Sequence, residues 1–131
     1  MSDDAKNNEP NLYERVGGED GIAKLVDAFY VEVLADPELA PFFTDVAIEK
    51  LLNMQRELFA AALDGPVNYT GRPLAHVHHG MGIKPSHMAR YVGHLLSTLE
   101  GFDLDDGDRD DIISRINIYA DEIMGGAGLD G

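Results

Sequence analysis

Apolar residues recur along this chain at the spacing of one helix face, and no segment shows the two-residue alternation of a half-buried strand. That regularity constrains the fold more than any other feature. Ile22, Leu25, Val26, Phe29 and Val33 form the first stripe, in a helix expected from Asp20, with Tyr30 at the margin of the buried face. Asp36-Pro37-Glu38 reads as the start of a short helix that ends in Phe42-Phe43, with Asp as cap and Pro at the first helical position. A second long helix is expected from about Val46 to Leu63, capped by Thr44 or Asp45, with Ile48, Leu51, Leu52, Phe59 and Ala62 inward. A third begins at Pro85 and turns Met88, Tyr91 or Val92, Leu95 and Leu99 inward. After an acidic turn, the last runs from about Asp108 to Met124 with Ile112, Ile116, Tyr119 or Ala120, and Ile123 inward, and Gly125-Gly126 ends it. The expected class is all-α, three or four long helices around one core.

At 131 residues the chain suits a single domain. Residues 1–10 hold almost nothing to bury and read as a flexible acidic lead-in, residues 11–125 as the folded domain, and 126–131 as a mobile tail. Charge narrows the partners. Twenty-four acids against ten lysines and arginines leave a formal net charge of −14, the opposite of what nucleic acid or an anionic membrane surface attracts. The absence of cysteine excludes a disulfide scaffold, an iron–sulfur cluster and a cysteine-based zinc site. The first ten residues lack the basic start and apolar run of a secretory signal, and no apolar run is long enough to cross a bilayer, so a cytoplasmic protein is expected. The acids crowd the lead-in, residues 103–111 and the tail, as a solvated face would, which suits a protein kept soluble at high salt.

The Gly- and Pro-rich stretch from Pro66 to Ile83, with one short helix around Leu74 to His79, is the unusual part, because a long loop in a compact domain is usually functional. Four of the five histidines, His76, His78, His79 and His87, lie in or beside it. They admit three readings: a zinc site completed by carboxylates, a surface cluster, or one core-facing histidine that holds another cofactor. Residues two apart on a helix do not share a face, which weighs against His76 and His78 sharing one ion. Gln55 falls on an otherwise apolar stripe, where an unsatisfied amide costs a few kcal/mol, on the order of 2. Gln55 and Tyr30 could each satisfy a backbone partner and serve packing alone. Phe29, Phe42, Phe43 and Phe59 could likewise be simple core. A flat apolar cofactor accounts for the histidine, the two polar side chains and the aromatics together.

The chain resembles the truncated hemoglobins of group I. The resemblance rests on Leu12-Tyr13-Glu14-Arg15-Val16-Gly17-Gly18, Ala28-Phe29-Tyr30-Val31-Glu32-Val33-Leu34-Ala35-Asp36, Pro41-Phe42-Phe43, Gln55 and Phe59-Ala60-Ala61-Ala62-Leu63-Asp64-Gly65-Pro66. Its most specific part is Tyr69-Thr70-Gly71-Arg72-Pro73 and Val77-His78-His79-Gly80-Met81-Gly82-Ile83, followed by His87-Met88 and Val92-Gly93-His94-Leu95. It covers residues 12 to about 100 closely and the last helix in pattern only.

The resemblance implies a truncated globin, a two-over-two helical sandwich enclosing heme b. His78 matches the proximal histidine that binds the iron, and Tyr30 and Gln55 match the distal pair that hydrogen-bonds the ligand. Phe43 matches the residue wedged against the porphyrin. Leu51, Phe59, Ile83, Met88 and Val92 match other pocket positions, and Phe29 and Tyr69 are counted with them. Met54 stands where some relatives carry an iron-binding histidine, so its thioether is a candidate sixth ligand, set against gap-filling or solvent exposure. Leu51 replaces a residue that is often polar, and Met81 one that is basic in some relatives. The last helix has no histidine, so a covalent heme link is not expected.

The implied function is reversible binding of dioxygen, with nitric oxide and carbon monoxide as further ligands, for oxygen storage, transport or sensing. The alternative is a nitric oxide dioxygenase that makes nitrate and draws electrons from a separate reductase, since no flavin or nicotinamide motif is present. A heme-free acidic interaction module is the third reading. It predicts no Soret band after addition of hemin.

Overall fold

The computed structural model describes residues 10–66 and 83–128, with side chains as far as Tyr119. The described part is helical, without strands. Five α-helices follow in order: α1 (Leu12–Val16), α2 (Gly18–Ala35), α3 (Ile48–Ala62), α4 (Pro85–Leu99) and α5 (Asp106–Gly128), with a short 3-10 helix at Ala40–Phe43.

The chain enters through a capping box. Asn11 Oδ1 accepts from the Glu14 amide at 2.9 Å, and Glu14 Oε1 accepts from the Asn11 amide at 3.0 Å, satisfying two donors the helix leaves open. The Tyr13 amide and Asn11 Nδ2 then donate to the Leu63 and Asp64 carbonyls, each at 3.0 Å, which ties α1 to the end of α3. Gly17 joins α1 to α2 at φ 119°, a left-handed conformation that side chains with a Cβ rarely adopt. A Cβ on Gly21 would lie 2.1 Å from the Val16 carbonyl oxygen, so α1 can fold back this closely only over glycine.

The helices pack in a closed circuit: α2 against α3 and α4, α4 against α5, and α3 against α5. Inside lie Leu25, Val26, Phe29, Val33, Phe59, Leu63, Leu95, Leu99 and Ile112, all fully buried. Each such side chain contributes about 1.5–3 kcal/mol relative to exposure. Arginines close the helix ends. Arg115 Nη1 donates to the Ala62 carbonyl at 2.9 Å, and Arg109 reaches the Leu99 and Phe102 carbonyls, each at 3.3 Å.

Several local expectations need correction. Tyr30 is not marginal but 3 % exposed, inside the core. Asp36 does not open an α-helix. It ends α2 and leads through a turn to the 3-10 helix, with Oδ1 accepting from the Glu38 amide at 2.9 Å. α3 begins at Ile48 with Ala47 at its cap, so neither Thr44 nor Asp45 caps it and Val46 stays outside. α5 begins at Asp106 and continues through Gly125-Gly126 to Gly128. Glycine in a helix costs about 1 kcal/mol and does not forbid it. The lead-in before Pro10, the loop helix around Leu74 to His79, and the last three residues lie outside the described residues.

Candidate functional site

Three polar side chains meet where α2, α3 and α4 converge. α2 supplies Tyr30, α3 supplies Gln55 and α4 supplies Tyr91. The Tyr30 and Tyr91 hydroxyl oxygens are 3.4 Å apart, and the Tyr91 hydroxyl donates to Gln55 Oε1 at 3.5 Å. Phe29 backs both phenols edge-on, with centroids 5.1 Å from Tyr30 and 4.8 Å from Tyr91. Phe43 meets Tyr30 edge-on at 6.0 Å, and Phe59 lies behind Phe29 at 5.9 Å.

Burial among these rings decides the protonation of both phenols. Desolvation raises the Tyr30 pKa well above its ordinary value, and the neighbouring Tyr91 raises it further. Desolvation also pushes Tyr91 up to about 12, against a smaller downward pull from its bond to Tyr30. Both hydroxyls therefore keep their protons, and remain donors, throughout the physiological range.

A buried carboxylate holds α4 in this register. Asp36, 5 % exposed, accepts from Arg90 Nε and Nη2, each at 2.9 Å, and lies 2.7 Å from His94 Nε2. Glu32 Oε1 lies 3.2 Å from His94 Nδ1, and its Oε2 accepts from Thr98 Oγ1 at 3.2 Å. The Arg90 and His94 bonds hold the Asp36 carboxyl well below the usual carboxylate range. Arg90 is next to Tyr91 in the chain, so the pairing that docks α4 on α2 also sets Tyr91 opposite Tyr30.

Phe43, Leu51, Ile83, Met88 and Val92 are half-buried, and Phe43 and Leu51 pack against the core. Phe29 and Phe59 are fully enclosed and back the phenols. Met54 is 40 % exposed and lies about 100° around α3 from Gln55, so it does not join the cluster. Tyr69, His78 and the other loop histidines lie outside the described residues. His87 serves locally: its Nδ1 accepts from the Lys84 amide at 2.9 Å and its ring meets Phe42 edge-on at 4.8 Å. Among the described residues no three His, Asp or Glu side chains gather to hold a metal ion, and no helix is long and apolar enough to cross a membrane.

The residue that sequence reasoning missed is Tyr91, taken as one of two candidates for the core stripe of α4. The signal was present: a hydroxyl on an apolar stripe raises the same question as the amide of Gln55.

The donor set fits one face of a heme pocket. Hydroxyl bonds in proteins favour about 2.7–2.8 Å. At 3.4 and 3.5 Å these part-buried hydroxyls are underused, and an acceptor placed among them would be bonded better than they bond one another. The rings of Phe29 and Phe43 beside Tyr30 supply apolar surface of the kind that a porphyrin face requires.

Comparison with known proteins agrees. The family model of bacterial-like globins matches residues 11–124. A group 1 truncated hemoglobin of Mycolicibacterium paratuberculosis is 40% identical over 116 residues, 88% of this chain and 85% of the relative. One from Tetrahymena thermophila is 30% identical over 98 residues, 75% of this chain and 81% of that protein. The crystal structure of the ferric truncated hemoglobin of Tetrahymena pyriformis superposes with a TM-score of 0.82 at 25% identity, covering 87% of this chain and 97% of that one. The chain belongs to the bacterial-like globins and, within them, to the group 1 truncated hemoglobins. Its fold is the two-over-two globin fold, and heme-based binding of diatomic gases follows from the family.

Proposed function

We propose that this protein binds dioxygen reversibly at heme b held through His78, for oxygen storage, transport or sensing in the cytoplasm. The observation that carries the reading is the trio of buried Tyr30 with half-buried Gln55 and Tyr91, bonded to one another only at the outer limit of hydrogen-bond length. When bound, heme supplies an iron that takes up a diatomic gas and shifts electron density onto it. The chain's own residues then act on that charge. Tyr30 and Gln55 donate to the gas, and Phe29 and Phe59 exclude water behind them. Phe43, Leu51, Tyr69, Ile83, Met88 and Val92 line the cofactor. The phenols stay protonated, so the donation persists across physiological pH.

The same donors serve the second reading, nitric oxide dioxygenation with electrons from a separate reductase. Repeated turnover of nitric oxide by the oxygenated protein in the presence of a reductant distinguishes it.

Absorption spectra of the ferric, ferrous and oxygenated forms test the proposal. A Soret band that shifts reversibly with oxygen is expected. His78→Ala should abolish heme retention while the helical circular dichroism persists. A chain that shows no Soret band after addition of hemin is the heme-free module instead.

A further inference from the structure

Gln55, Tyr91 and Tyr30 form a chain in which protons can be counted. A tyrosine hydroxyl carries one proton and two lone pairs, and an amide oxygen only accepts. The Tyr91 hydroxyl donates to Gln55 Oε1 at 3.5 Å, which commits its single proton. The 3.4 Å contact between the phenols must therefore run from Tyr30 to the Tyr91 oxygen. Among the described residues Tyr30 Oη has no other hydrogen-bond partner, although Tyr30 is 3 % exposed and cannot turn to water. Tyr91 is not free to follow it, because Arg90 and His94 on either side pin α4 to Asp36.

We infer that Tyr91 is a positioning residue of the distal site, a resting partner that accepts the Tyr30 proton while no gas is present and competes with the gas for it. The inference rests on the proposed function and deepens it. Rotation about one C–O bond turns the Tyr30 hydroxyl proton away from the Tyr91 oxygen toward an incoming gas, with no movement of either ring. Tyr91 stabilises the gas-free state and so lowers the affinity that Tyr30 would otherwise confer. A buried hydroxyl without this partner would be satisfied only by the gas, and would release it more slowly.

Tyr91→Phe is the test, since phenylalanine keeps the edge-on contact with Phe29 and removes only the oxygen. In the heme-loaded ferrous protein, oxygen dissociation followed by stopped flow is expected to slow about two- to tenfold, the worth of one ordinary hydrogen bond. The C–O stretch of the carbon monoxide complex, read by infrared, is expected to move to lower frequency as Tyr30 donates more fully to the probe. Both effects should vanish in a Tyr30→Phe background. Faster or unchanged dissociation, an unmoved or raised stretch, or equal slowing in the Tyr30→Phe background would overturn the inference. A wild-type chain that takes up no heme overturns both readings. A normal wild-type oxygen complex beside an unresponsive Tyr91→Phe overturns this one alone.

Discussion

Tyr30 carries the sharpest consequence at the scale of a single residue. Its ring is enclosed by Phe29 and Phe43, and its hydroxyl is the one polar atom α2 brings to the cluster. Tyr30→Phe preserves the packing and, on the proposed function, deletes a donor to a partly charged acceptor. Such bonds are worth about 1.5–3 kcal/mol, so oxygen should leave roughly ten to a hundred times faster. Stopped-flow displacement by carbon monoxide measures this, and a rate within twofold of wild type would remove Tyr30 from the distal site. The residue was visible in the sequence as a hydroxyl beside an apolar stripe. Its depth was not, because periodicity assigns a face and cannot say how closely the next helix covers it. Tyr91 escaped for a related reason: adjacent Tyr91 and Val92 both fit the stripe of α4, and only the docking of α4 on α2 decides which one meets Tyr30.

At the scale of elements, the long helices were legible because each buries a face repeated at helical spacing. What the stripes could not reveal was the polar contact that fixes two of them together. Asp36-Pro37 has the local signature of a helix start. Asp36 instead answers to Arg90 and His94, 54 and 58 residues away, and no local pattern records such partners. Its lowered pKa gives the docking a pH dependence. A depressed carboxylate contributes stability that is complete above its ordinary value of 3.8 and is lost as the pH falls from there toward the folded value. Asp36→Asn is therefore expected to lower the melting temperature at pH 7, by leaving Arg90 without its anionic partner. The gap to wild type should narrow as the pH falls below 4. Melting curves between pH 3 and pH 7 check this, and a gap that stays constant down to pH 3 would remove Asp36 as the ionised anchor of α4. Gly125-Gly126 shows the opposite error: glycine read as a stop is carried through by a helix that runs to Gly128.

Across the whole molecule, the charge of −14 has no part in the distal cluster, which consists of neutral donors and rings. The five arginines among the described residues are all committed: Arg15 to Asp108, Arg56 to Asp27, Arg90 to Asp36, Arg109 to Asp106, and Arg115 to Asp64 and Asp111. With 24 acids and only 10 basic residues in the chain, negative charges outnumber the partners that could neutralise them. Repulsion of this kind destabilises the compact state, and salt relieves it by shortening the Debye length from about 30 Å at 0.01 M to about 3 Å at 1 M. Salt weakens the exposed ion pairs too, but each is worth only about 0–1 kcal/mol, and they are fewer than the unpaired acids. The repulsive effect should win. The melting temperature of the heme-loaded protein at pH 7 is expected to rise between 0.01 M and 1 M sodium chloride. Sodium chloride is the appropriate salt because sulfate would strengthen apolar burial by itself. A melting temperature that stays level or falls over this range would mean that the acids are already neutralised within the fold, and the surplus charge would then need another explanation than a solvated, salt-adapted surface.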